Sequence, residues 1–422
     1  MRVTHISVVH RPWDTRIFHK ECRAMAQAGH ETHLVIGGSM DGERVDGVHL
    51  HSISSDGGRP KARQQWLRVS RAARYALRLR PSVYHLHDPH LIPLGLLLKA
   101  LGQRVVYDRH EDYPAHARSK LAGHPLRAAL KAAMWAALEH LARARFDAFV
   151  CASADLAAPF PADRTAVVAN WPLRGAFPQE PPPHAERDNT VIYTGSITEI
   201  RGFWEVVRAL ELLPGDLDCR LELLGAFRPA GLVEHARRSP AWHRIDFAPW
   251  QPHSVLVGRL LRARAGLILL HPVPNHGDPV RSNKLFEYMA AGVPVIASDL
   301  PRWRELVERT GCGLVVDPSD PAAIAAAIER VLGDPEEAAA MGRRGRAAFE
   351  SEFNWDSEAR RLLALYSRFE PSRTPRRVVA PHVARPRSSG PRHDPSRPVV
   401  HEAPAASRGR AAPAPQHRES AL

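Results

Sequence analysis

Ser282-Asn283-Lys284-Leu285-Phe286-Glu287-Tyr288-Met289-Ala290-Ala291-Gly292-Val293-Pro294-Val295-Ile296-Ala297 reads as a helix, a tight turn and a buried strand. Ser282 is a residue type that caps helix starts. Gly292-Val293-Pro294 turns the chain, and a short apolar run follows. Outward from this unit the same alternation recurs. Upstream of it come strand Thr190–Thr194, helix Gly202–Leu213, strand Arg220–Leu224, helix Ala230–Arg238, strand Arg244–Phe247, helix Val255–Ala263 and strand Gly266–Leu270. Downstream come strand Gly313–Val316 and helical patterns Pro321–Leu332, Glu336–Glu352 and Asp356–Phe369.

The N-terminal part repeats the pattern. Strands Val3–Val9, His33–Ile36, Val83–His87, Arg104–Asp108, Ala148–Ala152 and Thr165–Ala169 alternate with helices Arg16–Ala28, Gln64–Arg80, Ile92–Leu101 and Leu126–Arg145. Such β-α-β-α order predicts parallel, doubly wound sheets. Trp171-Pro172 and Pro181-Pro182-Pro183 interrupt it and mark a stiff linker. The expected fold class is therefore α/β with two Rossmann-like halves, 1–172 and 190–353, joined by a Pro-rich linker at 173–189. Ligands of open α/β sheets sit at the carboxyl ends of strands. Two such sheets place the site in the cleft between them.

Composition agrees with a globular chain: of 422 residues, 44% are hydrophobic and 24% charged. A wholly disordered protein and a small disulfide-stapled one are excluded. The formal net charge is +13, and a net +7 falls in residues 371–422. That segment has ten Arg, ten Pro and no aromatic residue, and is expected to be a disordered tail. Without aromatics it offers no platform for stacking bases, so no specific nucleic-acid partner is expected. Cys22, Cys151, Cys219 and Cys312 stand at neither metal nor redox spacing, which fits a reducing cytoplasm. No signal peptide and no membrane span is expected.

The chemistry concentrates in a few strings. A helix beginning after Ser282 presents free N–H groups and a partial positive charge, which suit phosphate. Lys284 adds a full charge in the first turn, and Glu287 lies one turn later, placed to accept from a ribose diol. In Tyr193-Thr194-Gly195-Ser196-Ile197-Thr198-Glu199-Ile200-Arg201-Gly202, Gly195 permits close backbone approach and the Arg201 fork suits a diphosphate. His110 follows a strand and should stand on a loop at its carboxyl end. His87 is a second candidate, with His85 expected on the opposite strand face. Asp14 and Arg16 follow the first strand, where Asp14 also suits a helix cap.

Several strings together resemble a known family. His10-Arg11-Pro12-Trp13-Asp14-Thr15-Arg16-Ile17-Phe18-His19-Lys20-Glu21, Tyr84-His85-Leu86-His87-Asp88-Pro89, Tyr107-Asp108-Arg109-His110-Glu111-Asp112-Tyr113-Pro114, Val167-Val168-Ala169-Asn170, the Lys284 string and Phe353-Asn354-Trp355 are similar to a bacterial branch of family 4, the retaining GT-B glycosyltransferases. The resemblance spans residues 1–370. It implies an acceptor domain at 1–172, a donor domain at 190–353, and a last helix, 354–370, returning to the first domain. It implies a nucleotide-sugar donor, bound by Gly195, Ser196, Arg201, Ser282, Asn283, Lys284, Leu285 and Glu287. His110 takes the place of the family's cleft histidine, and Asp14, Arg16, His87 and Glu111 fall at the acceptor side. The family's Glu-x7-Glu motif keeps its second member at Glu287. Pro279 stands at the first, beside Asp278. The family's Arg and Lys near the first turn become Ser196 and Arg201.

The resemblance further implies retention, no cofactor and no metal, with Arg201, Lys284 and the helix start stabilising the leaving diphosphate. Expected partners are a nucleotide-diphosphate sugar and a lipid-linked or saccharide acceptor. The basic, apolar Leu126–Arg145 helix reads first as a domain helix whose apolar face packs on the sheet; the other reading is peripheral contact with the inner face of the cell membrane. A sugar-nucleotide epimerase-like enzyme of the same fold, and an adaptor acting through the basic tail, are the alternatives.

Overall fold

The structure, a computed structural model, describes residues 1–38, 40–53, 61–121, 123–273 and 276–370. The segment expected as a disordered tail, 371–422, lies outside the described residues. The first sheet comprises β1 (Arg2–Ile6), β2 (Glu31–Ile36), β3 (Arg44–Val45), β4 (Val48–Ser52), β5 (Val83–Leu86), β6 (Val105–Arg109), β7 (Ala148–Cys151) and β8 (Thr165–Val167), in the order β3-β4-β2-β1-β5-β6-β7-β8. The second comprises β9 (Asp188–Ile197), β10 (Arg220–Phe227), β11 (Ile245–Ala248), β12 (Ala263–Ile268), β13 (Val295–Ser298) and β14 (Gly313–Val316), in the order β11-β10-β9-β12-β13-β14. Pairing is parallel except between β3 and β4. Both sheets belong to one compact unit.

Helices cover the faces. In the first half they are α1 (Arg23–Gln27), α2 (Lys61–Leu79), α3 (Ile92–Ala100), α4 (Tyr113–Lys120), α5 (Pro125–Arg145) and α6 (Ala154–Ala157). In the second they are α7 (Phe203–Leu212), α8 (Leu232–Ala236), α9 (His253–Arg262), α10 (Asn283–Ala290), α11 (Pro301–Thr310), α12 (Pro321–Gly333) and α13 (Pro335–Ser351), followed by α14 (Trp355–Tyr366). Buried strands such as Val105-Val106-Tyr107 and Val295-Ile296-Ala297 are apolar throughout, as strands covered on both faces require.

Three local features depart from the sequence reading. Arg16–Ala28 is not one regular α-helix: Ile17–Cys22 is a π-helix, with Glu21 N–H donating to Arg16 O at 2.9 Å. The wider turn buries Ile17, Phe18, Lys20, Glu21 and Cys22 together. Strands β3 and β4 and helices α4, α6 and α11 stand outside the strands and helices read from the sequence. Finally, β9 continues to Ile197, so Gly195 lies inside a strand end, with φ +94°.

Helix α14 packs against the first sheet. Trp355, Leu362, Leu365 and Tyr366 share an apolar cluster with Val3, Val83, Val106 and Val150. Its polar anchor is the Tyr366 hydroxyl, 2.7 Å from His85 Nδ1. Tyr366→Phe would leave His85 Nδ1 unpaired in the interior. Denaturant unfolding of that variant should show a loss of about 1–3 kcal/mol. An unchanged midpoint would mean the contact contributes nothing.

Candidate active site

The carboxyl ends of β1, β5 and β6 converge on one buried carboxylate, Asp108. Arg16 donates to it twice, Nη2 to Oδ1 at 2.9 Å and Nε to Oδ2 at 3.0 Å. His87 Nδ1 stands 3.1 Å from Oδ2, and His110 Nε2 3.0 Å from the same oxygen. Burial alone would raise the Asp108 pKa, but Arg16 and His110 beside it hold it well below the usual carboxylate range. An ionised carboxylate only accepts, so His87 presents its Nδ1–H to it, whereas His110 Nε2 lies close without hydrogen-bond alignment. His87 Nε2 then accepts from His5 Nδ1, 2.9 Å away. Burial pushes His5, His85 and His87 below the ordinary histidine pKa, which keeps the stack neutral.

This arrangement corrects several expectations. His85 and His87 lie two residues apart on one strand, so alternation puts them on the same face. Their rings stack at 4.5 Å, and neither is exposed. His87 therefore supports the cleft from beneath and does not reach a substrate. Arg16 is buried too: besides Asp108 it touches Glu21 at 3.0 Å and donates to Val168 O at 2.8 Å. Asp14 accepts from the N–H groups of Arg16 and Ile17 at 2.9 Å each, the helix-start role. His110 is the member of this network whose side chain keeps some exposure, 13%. It stacks on His10 at 5.3 Å. Burial alone would depress His10, but Asp88, 3.2 Å away, outweighs it and raises its pKa. Glu111 is exposed and lies 3.1 Å from His116.

The fold also gathers two sets of metal-ligand side chains that their separation along the chain hides: His5, Glu21, His85 and His87, and His87, Asp108 and His110. An ion shared by imidazoles must lie in each ring plane, about 2 Å from nitrogen. The first three rings stack with interplanar angles of 11–29°, so their planes do not meet at that distance. In the second set Arg16 already supplies the positive charge at Asp108.

The second sheet forms the facing wall. A cavity of about 200 Å³ is lined by Arg201, Leu270, His276, Asp278, Arg281, Ser282, Asn283, Lys284 and Trp303. Ser282 makes no side-chain cap, leaving its hydroxyl and the first N–H groups of α10 uncommitted. Lys284 Nζ lies 4.6 Å over the Tyr193 ring. Burial, helped by Arg201, pushes its ammonium down to about 7. Gly195 beside it has φ +94°, which favours glycine, and a Cβ there would also crowd Lys284 Cε at 3.0 Å. Trp303 closes the floor, donating from Nε1 to His276 O at 2.8 Å. Ser196 and Arg201 also line a larger cavity of about 900 Å³, which reaches Glu111, Asp112, His116 and Arg118 of the first half.

Other expected donor contacts stand apart. The Leu285 side chain is fully buried in the core, so only its backbone faces the helix start. Glu287 is not in the small cavity's lining; its Oε1 lies 3.4 Å from His253 Nε2. Asp278 is committed to capping the turn before α10, accepting from Val280 N–H at 3.0 Å, and lies 3.7 Å from Arg302.

A family model described as glycosyl transferases group 1 matches residues 178–348, and one described as glycosyl transferase 4-like domain matches 15–171. The two together take in well over half of the chain. It belongs to the group 1 glycosyltransferases and has the GT-B fold. This glycosyltransferase is 28% identical over 223 residues to the glycogen synthase of Mycobacterium tuberculosis, covering 51% of this chain and 50% of that protein. It is 32% identical over 223 residues to the D-inositol 3-phosphate glycosyltransferase of Nocardia farcinica, covering 51% of this chain and 46% of that protein. The chain thus spans about half the length of the curated relatives it matches. The crystal structure of Anabaena HepE with UDP-glucose matches with a TM-score of 0.64 at 14% identity, over 87% of this chain and 100% of that one. That likeness establishes the fold.

Sequence reasoning about this glycosyltransferase passed over Asp108, His5, His10, Asp88, His276 and Trp303. The signal for Asp108 was present, a lone carboxylate ending a buried apolar strand. Asp108→Asn should lower stability by about 1–3 kcal/mol at neutral pH, because Arg16 loses two charge-assisted hydrogen bonds and keeps only Glu21 as a carboxylate neighbour. Since the folded-state pKa is depressed, the pair stabilises above the ordinary carboxylate range and is lost as pH falls through the folded value. Urea unfolding at several pH values should show the gap between parent and variant narrowing only in strong acid.

Proposed function

We propose that the chain transfers a sugar from a nucleoside-diphosphate sugar to an acceptor hydroxyl, with retention and without a metal. The observation that carries this reading is the uncapped start of α10 with Lys284 and Arg201 at one cavity. Free N–H groups, a helix dipole and converging cations are what a departing diphosphate needs. The bond between the anomeric carbon and the phosphate oxygen breaks, and a bond from the acceptor oxygen forms on the same face. The acceptor proton passes to the departing phosphate oxygen, so no protein nucleophile is needed. His110 orients the donor sugar and the acceptor, and Glu287 accepts from the ribose. The relatives' names support sugar transfer, and the Anabaena neighbour was crystallised with UDP-glucose.

Lys284→Ala and Arg201→Ala should each weaken nucleoside diphosphate binding by roughly 1.5–3 kcal/mol. The depressed Lys284 pKa adds a sharper test. In the empty site the amine loses its charge as pH rises through about 7, and a bound diphosphate favours its return. Binding above that pH should take up a proton, and affinity should fall as pH rises. Calorimetry in two buffers of different ionisation enthalpy measures the uptake, and Lys284→Arg should abolish it. Absence of uptake in the parent would remove Lys284 from the phosphate site.

His110→Ala should spare nucleotide binding, which belongs to the other wall, and lower kcat. Chelator should leave parent activity unchanged; loss with rescue by a divalent ion would overturn the metal-free scheme.

We place the reaction in glycolipid or surface-polysaccharide synthesis, with the acceptor met at the inner membrane face. On α5, Leu126 and Leu130 are 86% and 75% exposed, with exposed Met134, Arg127 and Lys131 alongside. An apolar stripe flanked by cations suits an anionic bilayer surface. Among the described residues no helix is long and apolar enough to cross a membrane. Leu126→Glu with Leu130→Glu should abolish cosedimentation with vesicles containing anionic lipid; unchanged cosedimentation would detach α5 from this role.

A further inference from the structure

Four arginines line the 900 Å³ cleft: Arg118 on α4, Arg201 before α7, Arg228 just after β10, and Arg281 before α10. None of the four guanidinium groups has a hydrogen-bond or ion-pair partner among the described residues. Several other arginines of the second half are paired, Arg220 with Asp246, Arg302 with Asp155, Arg309 with Glu352 and Arg344 with Glu337. The two acids on the cleft lining nearest Arg118 are already engaged. Glu111 lies against His116, and Asp112 accepts from Ala115 N–H at 3.0 Å to start α4. Four arginines against two acids leave the cleft lining net positive.

The donor accounts for only part of it. Arg201 and Arg281 also line the small cavity with Lys284, so three cations already face the diphosphate. Arg118 and Arg228 line only the larger cavity, on walls contributed by the two halves. Like charges held across a cleft repel unless an anion lies between them. A guanidinium fork fits a tetrahedral oxyanion through paired N–H groups.

We propose that Arg118 and Arg228 form an anion subsite that selects an acceptor bearing a phosphate or diphosphate group. The acceptor hydroxyl then reaches the donor sugar near His110 while its phosphate spans the two walls. This rests on the donor reading given above, and it narrows the acceptor to phosphorylated compounds, whether a soluble sugar phosphate or a lipid-linked phosphate.

The full chain is first screened for stabilisation by UDP, GDP, ADP and TDP, then saturated with the one that binds. Inorganic phosphate is titrated into that complex by calorimetry, at constant ionic strength. The parent should bind phosphate beside the nucleotide. Arg118→Ala combined with Arg228→Ala should weaken phosphate at least tenfold while leaving nucleotide affinity within twofold. Arg343→Ala, an exposed arginine outside the cleft, should change neither. Equal phosphate binding in parent and double variant, or none in the parent, overturns the subsite. Failure of all four nucleotides would instead defeat the donor reading. Phosphate titrated into nucleotide-free parent and double variant then still decides the subsite by the same tenfold criterion. Glucose 1-phosphate and detergent-solubilised polyprenyl phosphate replace phosphate in parallel arms. Arginine-dependent binding of the first alone assigns a soluble acceptor, and of the second a lipid-linked one.

Discussion

An ionised carboxylate in a protein interior must be surrounded by donors, and Asp108 imposes that condition on the first half of the molecule. Its four contacts arrive from three places: Arg16 after β1, His87 after β5 and His110 after β6. Losing any one leaves a charge or an N–H without a partner, at an energy comparable to a large share of a domain's stability. Satisfying the carboxylate therefore ties the three strand ends together. His110 is held beside the same carboxylate at 3.0 Å, at the edge of the cleft. The π-helix at Ile17–Cys22 belongs to this constraint. Its wider turn lets Arg16 and Glu21 both point inward, where the guanidinium lies between Glu21 and Asp108.

The facing wall follows the opposite logic. There, Lys284 is pushed down to about 7, and the Arg201 and Arg281 guanidinium groups have no ion-pair partner among the described residues. The Lys284 ammonium has lost water without gaining an anion, so an anion bound there offsets a cost the empty site carries. Strongly perturbed groups that a fold leaves uncompensated mark places where binding energy is spent. One wall is saturated and rigid, and the other is unsaturated and waiting for charge. The difference explains why one half can hold a buried histidine stack while its neighbour presents three arginines to one cavity.

The alternation of strands and helices was legible because each element is apolar on its own terms, Val105-Val106-Tyr107 as much as Val295-Ile296-Ala297. So was the string around Lys284, since capping, charge and turn all fall within one local unit. What escaped was whatever depends on pairing across the chain. His5 gains its neighbour only through the parallel register that sets it beside His85, about eighty residues away. The misplacement of His85 came from miscounting alternation, which the stacked rings correct. Arg16 reads as a surface cation until Asp108 is brought to it. Leu285 sits in the string around Lys284, but its side chain is fully buried and serves the core. Helix α4 lacks an apolar stripe because much of its surface faces the cleft, and a period search finds nothing to count.

The two chain crossings between the halves bring Trp171 against Phe286 and Phe353, with ring centroids 5.7 and 5.2 Å apart. Both partners are buried, and Trp355 N–H donates to Pro172 O at 2.9 Å. Separating that cluster would expose aromatic surface worth several kcal/mol on the order of 25 cal/mol per Å². Away from the crossings, Arg302 meets Asp155 of the first half at 2.7 Å, with both side chains more than half exposed. Such a pair contributes about 0–1 kcal/mol and weakens with salt. Resistance to separation is therefore uneven, strong where the chain crosses and weak at Arg302. A substrate that must enter between Arg118 and Arg228 meets its smallest mechanical opposition on the side held by that one exposed pair.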